Sequence, residues 1–193
     1  MNLDLIIVVL YSYILGSIPF GLIITKFFLK EDVRNIGSGN IGATNVLRTG
    51  EKKLAALTLF FDISKGYISV YLTIIYFNDL IYLSALSSFI GHIFPIWLRF
   101  KGGKGVATYF GIITALSFNF GIIFSVSWLI VLIFFKYSSL SSILSTLIVF
   151  IYSLIIFDIN ISLLLFIFFV IILYTHKENV IRLKNRTENK IKF

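Results

Sequence analysis

Two glycine-rich segments hold most of the residues able to do chemistry. The first reads Gly37-Ser38-Gly39-Asn40-Ile41-Gly42-Ala43-Thr44-Asn45 and lies between Arg34 and Arg48. Small residues let backbone N–H groups converge on an anion. Ser38, Thr44 and Asn45 add side-chain donors, and the arginines add charge. A helix beginning near Thr44 is expected to aim its positive end at the same place. The second reads Arg99-Phe100-Lys101-Gly102-Gly103-Lys104-Gly105, with three cations and three glycines in seven residues. That composition suits a phosphate group, because membrane topology alone asks for charge and not for backbone freedom.

Neither segment is a standard nucleotide loop. Gly37, Gly39 and Gly42 match G-x-G-x-x-G, but no strand of a βαβ unit precedes them. The second segment lacks the early glycine of a P-loop, and Gly105 stands where a Ser or Thr would hold Mg²⁺. Two lesser clusters follow. Lys136-Tyr137-Ser138-Ser139-Leu140-Ser141-Ser142 offers hydroxyls to cap the next helix or to bind a polar head group. His176, Asn179 and Arg182 recur at three-residue spacing, which places them on one slowly drifting helix face. They form either a polar wall over a pocket or part of an amphipathic tail on a membrane. Beyond Arg182 the tail is expected to fray.

The elements that must position these residues are membrane helices. The 193 residues are 58% hydrophobic and 13% charged, with no cysteine. So little polar surface cannot coat a soluble globule. Disulfides, thiolate nucleophiles and Cys-held metals are excluded. The net charge of +8 reads as membrane topology and not as nucleic-acid binding. Uncharged runs cover 5–25, 80–98, 106–135, 137–157 and 159–175, and a sixth, 54–78, is interrupted only by Asp62 and Lys65. A spanning helix needs about 20 residues, so all six are candidates.

Lysines and arginines cluster at 26–53, 99–104, 136 and 177–192, whereas the other connections carry Asp4, Asp79 and Asp158. The positive-inside rule puts every basic cluster in the cytoplasm and the N-terminus outside. Lys104 and Lys136 then need an even number of crossings between them. The 106–135 run is therefore expected to be a short hairpin, turning near Ser117-Phe118-Asn119, with arms of about 14 residues each. The expected fold is all-α: one domain, seven transmembrane helices, N-out and C-in. Its cytoplasmic parts are the loops 29–53, 99–105 and 136–142 and the tail 176–193. Asp62 and Lys65, three residues apart, are expected to pair on a helix, and His92 to make a packed polar contact.

The loops offer more than one phosphate site at the mouth of a helix bundle, which points to an enzyme joining a soluble phosphate to a lipid. No paired carboxylates accompany the glycines, so Mg²⁺-dependent phosphotransfer is disfavoured. The acyl-CoA signature, His and Asp separated by four residues, is missing: His92 meets Trp97 and His176 meets Ile181 at that spacing. A small transporter of a phosphorylated solute would use the same basic loops. It is favoured by inverted repeats, and none is evident. A purely structural membrane subunit would not need the glycine loops.

Taken in order, four motifs resemble the PlsY family of bacterial glycerol-3-phosphate acyltransferases. They are Gly16-Ser17-Ile18-Pro19-Phe20-Gly21, Gly37 through Asn45, Gly91-His92 leading to Lys101-Gly102-Gly103-Lys104-Gly105-Val106-Ala107-Thr108, and His176-Lys177-Glu178-Asn179. The resemblance covers nearly the whole chain. It implies seven spans, and acyl transfer from acyl phosphate to the 1-hydroxyl of glycerol 3-phosphate. The products would be lysophosphatidic acid and phosphate, with no CoA, no metal and no cofactor. The setting would be the bacterial cytoplasmic (inner) membrane, with the site facing the cytoplasm. The protein is expected as a monomer among membrane lipids, and a soluble acyl-phosphate synthase is a candidate partner. On this reading the 37–45 loop, with Ser38, Gly39, Asn40, Gly42, Ala43, Thr44 and Asn45, cradles the donor phosphate. Lys104 and Arg48, with Lys101, Gly102, Gly103 and Gly105, hold glycerol 3-phosphate. Ser139, Ser142, His176 and Asn179 orient the acceptor or either phosphate. The proton acceptor is either the departing phosphate or His176.

Overall fold

The computed structural model describes residues 3–191, and every regular element among them is helical. They form two compact units that divide between Leu116 and Ser117.

The first unit carries α1 (Leu3–Ser17), α2 (Phe20–Leu29), the short α3 (Ala43–Val46), α4 (Lys52–Tyr76), α5 (Ile81–Ile93) and α6 (Val106–Leu116). Proline explains the first break: Pro19 has no N–H and its ring crowds the preceding turn. Helix α1 therefore stops at Ser17, and α2 starts at Phe20 with Pro19 as its N-cap. The carbonyl of Ile18, left without a helical partner, accepts from Lys65 Nζ at 2.7 Å. Lys65 in turn pairs with Asp62 at 2.7 Å, both side chains being almost wholly buried. The expected ion pair is thus present, and it also closes the break in the first span.

An apolar cluster sits beneath the loops. Val33, Ile41 and Val46 from the first loop pack with Leu22 of α2, Ala55 of α4 and Leu98 of the turn before the second loop. Gly21 is where the first loop comes down onto α2: a β-carbon there would run into the Ile41 carbonyl. Removing that cluster from water fixes both loops over the helix ends.

The second unit carries α7 (Phe118–Phe135), α8 (Ser138–Ile156), α9 (Ile159–Thr175) and α10 (Lys177–Lys184). The long apolar run does break at Ser117, as expected. Its arms are unequal, 11 and 18 residues in place of about 14 each. Helix α7 ends with Lys136 in the left-handed region, at φ 63°. Asp158 caps α9 by accepting from the Asn160 and Ile161 N–H groups. The serine run does not cap α8: its N-cap is Tyr137, and Ser141 and Ser142 donate back to the carbonyls of Tyr137 and Ser138. Helices α9 and α10 bend by 61° at His176. The tail after Arg182, expected to fray, is bonded back to the rest of its unit among the described residues. Glu188 is bonded to three residues, and the Ile191 N–H donates to the Lys136 carbonyl at 2.8 Å. A carboxylate with three donors outweighs the local entropy of a terminus.

Five segments are long and apolar enough to cross a membrane: Leu3–Leu29, Lys52–Tyr76, Asn78–Leu98, Phe118–Phe135 and Ser138–Ile156. The bent pair α9–α10 makes a sixth, and α6 is a shorter apolar helix. Large apolar side chains face outward along them, Phe134 at 78% and Ile155 at 75% exposure among others. This is an all-helical polytopic membrane protein.

Candidate active site

One amide organises the first loop. Asn45 is 2% exposed. Its Nδ2 donates to the carbonyls of Val33, Ile36 and Asn40 at 2.8–2.9 Å. Its Oδ1 accepts from the Ser38 N–H at 3.0 Å, from Ser38 Oγ and from Arg48 Nη1, both at 3.3 Å. Asn40 Oδ1 closes a tight turn onto the Gly42 N–H. Ser38, Gly39, Thr44 and Arg48 are thereby held at the surface over a buried brace. Helix α3 starts at Ala43, one residue before the expected position, and is only four residues long. At the entrance to this loop Asp32 accepts twice from the Arg34 guanidinium, at 2.9 and 2.6 Å. Those bonds hold its carboxyl well below the usual carboxylate range.

The second loop is strapped to the end of α5. Gly102 and Gly103 donate to the carbonyls of Ile93 and His92 at 2.9 and 3.1 Å. Arg99 and Phe100 both take positive φ, 52° and 62°, a conformation that costs non-glycine residues about 1 kcal/mol or more. The strain is held by neighbours: the Pro95 carbonyl accepts from both Leu98 and Phe100. Gly103 and Gly105 are buried, whereas Lys101 is exposed and Lys104 half-buried. A cavity of about 600 Å³ joins the two loops, lined by Arg34, Gly39, Trp97, Leu98, Arg99, Lys101 and Gly102. Three cations and glycine backbone around one opening suit an anionic group of phosphate size.

In the second unit Glu188 gathers the polar residues. Its Oε1 accepts from Ser139 Oγ at 2.7 Å and Asn179 Nδ2 at 2.5 Å, and its Oε2 from Arg182 Nε at 2.7 Å. Burial alone would raise its pKa, but the bonds from Arg182, Asn179 and Ser139 win, and it lies below the ordinary value. His176 is 3% exposed, with Nδ1 2.8 Å from the Ile172 carbonyl. A carbonyl can only accept, so Nδ1 carries the proton and the acceptor nitrogen of the neutral ring is Nε2. The Ser142 hydroxyl donates to the Ser138 carbonyl and accepts from Trp128 Nε1 at 3.2 Å.

A family model described as glycerol-3-phosphate acyltransferase matches residues 6–186. The chain belongs to the glycerol-3-phosphate acyltransferase family. It is 53% identical over 190 residues to the glycerol-3-phosphate acyltransferase of Pelagibacter ubique (strain HTCC1062), covering 98% of this chain and 99% of that one. The Ehrlichia canis (strain Jake) enzyme is 47% identical over 193 residues, covering 99% and 100%. Among solved structures, the glycerol 3-phosphate form of PlsY, an integral membrane glycerol 3-phosphate acyltransferase, superposes with TM-score 0.93 at 35% identity, covering 98% of this chain and 96% of that one. Its lysophosphatidic acid form gives TM-score 0.90 at 34% identity, with the same coverage.

Within this acyltransferase most sequence-derived residues fall into three braced groups: Ser38 to Arg48 around Asn45, Lys101 to Gly105 strapped through Gly102 and Gly103 to the end of α5, and Ser139 with Asn179 on Glu188. Ser142 bonds instead to Trp128 and Ser138, and His176 to Ile172. Sequence reasoning missed Glu188, and it missed Trp97 as cavity lining; it offered Arg34 and Arg99 as charge beside the two loops without assigning either to a substrate. Glu188 left a weak signal, as one of two carboxylates in a strongly basic tail. The Trp97 contact to Ser17 Oγ, 2.7 Å across 80 residues, left none.

Proposed function

We propose that this glycerol-3-phosphate acyltransferase takes its acyl group from acyl phosphate and makes lysophosphatidic acid and inorganic phosphate. The 1-hydroxyl oxygen of glycerol 3-phosphate attacks the acyl carbonyl carbon. The carbon–phosphate oxygen bond breaks, and phosphate leaves. The hydroxyl proton goes to the departing phosphate or to His176 Nε2. No protein nucleophile is needed, because the donor is already activated and the task is to hold two anions and align one hydroxyl. The observation that carries the reading is the cavity shared by the two braced loops, with Arg34, Arg99 and Lys101 at its wall. The 37–45 loop is assigned to the donor phosphate. Lys104, Arg48 and the Lys101–Gly105 backbone are assigned to glycerol 3-phosphate, with donors that stabilise the developing charge. Ser139, Asn179 and His176 orient the acceptor. The chain crosses the inner membrane seven times, N-out and C-in, with this chemistry on the cytoplasmic side.

Two measurements test this. Purified protein is given labelled glycerol 3-phosphate with a chelator and either palmitoyl phosphate or palmitoyl-CoA. Labelled lysophosphatidic acid from palmitoyl phosphate alone is expected, and product from palmitoyl-CoA alone overturns the donor assignment. For orientation, the cysteine-free chain allows single Asp4→Cys and Lys190→Cys probes. In intact cells an impermeant thiol reagent should reach the first and not the second.

A further inference from the structure

The buried Asp62–Lys65 pair has a third member. His92, on the last turn of α5, is 4% exposed, and its Nδ1 lies 3.8 Å from Asp62 Oδ1. That nitrogen has no hydrogen-bond partner among the described residues. An unpaired buried ring nitrogen facing a carboxylate at this distance is one small shift from a hydrogen bond. The opposite edge of the ring faces the second loop. A β-carbon on Gly103 would collide with His92 Nε2 and Cε1, so Gly103 rests directly on the imidazole. The main chain of His92 takes part as well, through its carbonyl bond from the Gly103 N–H. Asp62 itself is held by Lys65, and Lys65 by the Ile18 carbonyl at the α1–α2 break. Mutual neutralisation accounts for Asp62 and Lys65. It does not account for a third polar side chain that faces the pair with one nitrogen and a glycine of the loop with the other.

We propose that His92, set by Asp62, is a positioning residue for the Lys101–Gly105 loop: the ring is the bed that fixes the height of Gly103. The loop's N–H groups then meet their anion without rearrangement. This inference rests on the reading that this loop holds glycerol 3-phosphate. A bed of this kind alters how well the loop binds and leaves the reacting groups alone. Its loss should therefore raise KM for that substrate more than it lowers kcat.

The test is a double-mutant cycle between the ring and the space above it, read in steady-state kinetics on folded, monodisperse protein. Gly103→Ala is expected to raise KM for glycerol 3-phosphate about tenfold, with kcat within about threefold. His92→Ala is expected to do the same. In the His92→Ala background, Gly103→Ala should cost less than about threefold more, because the methyl enters the space the ring leaves. His92→Asn, which keeps a donor toward Asp62 and removes the far edge of the ring, should tolerate Gly103→Ala equally. It stands in where His92→Ala does not fold. Asp62→Asn/Lys65→Met, which removes the pair without leaving a lone buried charge, should reproduce the KM effect of His92→Ala in milder form. Equal penalties for Gly103→Ala in all backgrounds overturn the proposal. Coupling that appears instead in the KM for palmitoyl phosphate supports the positioning role and removes the glycerol 3-phosphate assignment of the loop. The two readings can therefore fail separately.

Discussion

Each unit braces a polar segment on one hub, buried Asn45 in the first and half-buried Glu188 in the second, and the hubs differ in chemistry. Asn45 is neutral, both donates and accepts, and ties together groups within 12 residues of itself. Glu188 is an acceptor only, and draws donors from 6, 9 and 49 residues away. An amide with six partners is cheap to bury and shapes a backbone loop whose N–H groups stay available. A carboxylate is expensive to bury unless donors surround it. Once surrounded, it fixes side chains and not backbone. The first unit thus presents main-chain donors and exposed cations, the features the proposed phosphate cradle calls for. The second presents oriented side chains, the feature the proposed alignment of a hydroxyl calls for.

The largest expected effect comes from breaking the charged hub. Glu188→Ala leaves Ser139, Asn179 and Arg182 without their shared acceptor. Each charge-assisted bond is worth about 1.5–3 kcal/mol, so activity should fall at least about tenfold, with the tail losing hydrogen-exchange protection. Activity within twofold of wild type would make the hub incidental. Next is Asn45→Asp, which turns an amide donor into a carboxylate facing three carbonyls. A destabilisation of about 2–3 kcal/mol is expected, read as early proteolysis within 33–48. Resistance equal to wild type would show that the loop is held otherwise.

The hubs should also differ with pH. The Glu188 pKa is lowered on folding. Its contribution is therefore fully present above the unfolded value of about 4.3 and lost as pH falls through the lower folded one. Tail protection should drop on acidification below about pH 4.3, and Glu188→Gln should remove that dependence. A tail whose protection stays flat to pH 3 in wild type contradicts the account. The smallest effect is Ser142→Ala. Its hydroxyl already serves Trp128 and Ser138, so stability should change by about 1 kcal/mol or less and kcat by less than about threefold. A larger drop in kcat would put that hydroxyl on substrate.

The sequence carried the local features and lost the distant ones. Apolar runs, the Ser117 break and the Asp62–Lys65 pair depend on neighbours a few residues apart, and all three are present. The Ala43 helix start came within one residue for the same reason. The returning tail and the Trp97–Ser17 bond depend on contacts across 49 and 80 residues, and no periodicity encodes those. From sequence alone Asn45 is expected to donate to ligand. It sits in the right loop, but its amide is directed inward, because five residues of that loop offer it partners first. Pro19 was visible as part of a motif. Its consequence, a freed carbonyl answered by Lys65, required the packing of α4.

The measurement that bears most directly on the division of labour between the loops is a two-substrate kinetic analysis of Lys104→Ala. Phosphate release is followed while glycerol 3-phosphate and palmitoyl phosphate are varied in turn. The account predicts a KM for glycerol 3-phosphate raised by about tenfold or more, with the KM for palmitoyl phosphate within about threefold of wild type. The reverse pattern, or no change in either, would contradict it.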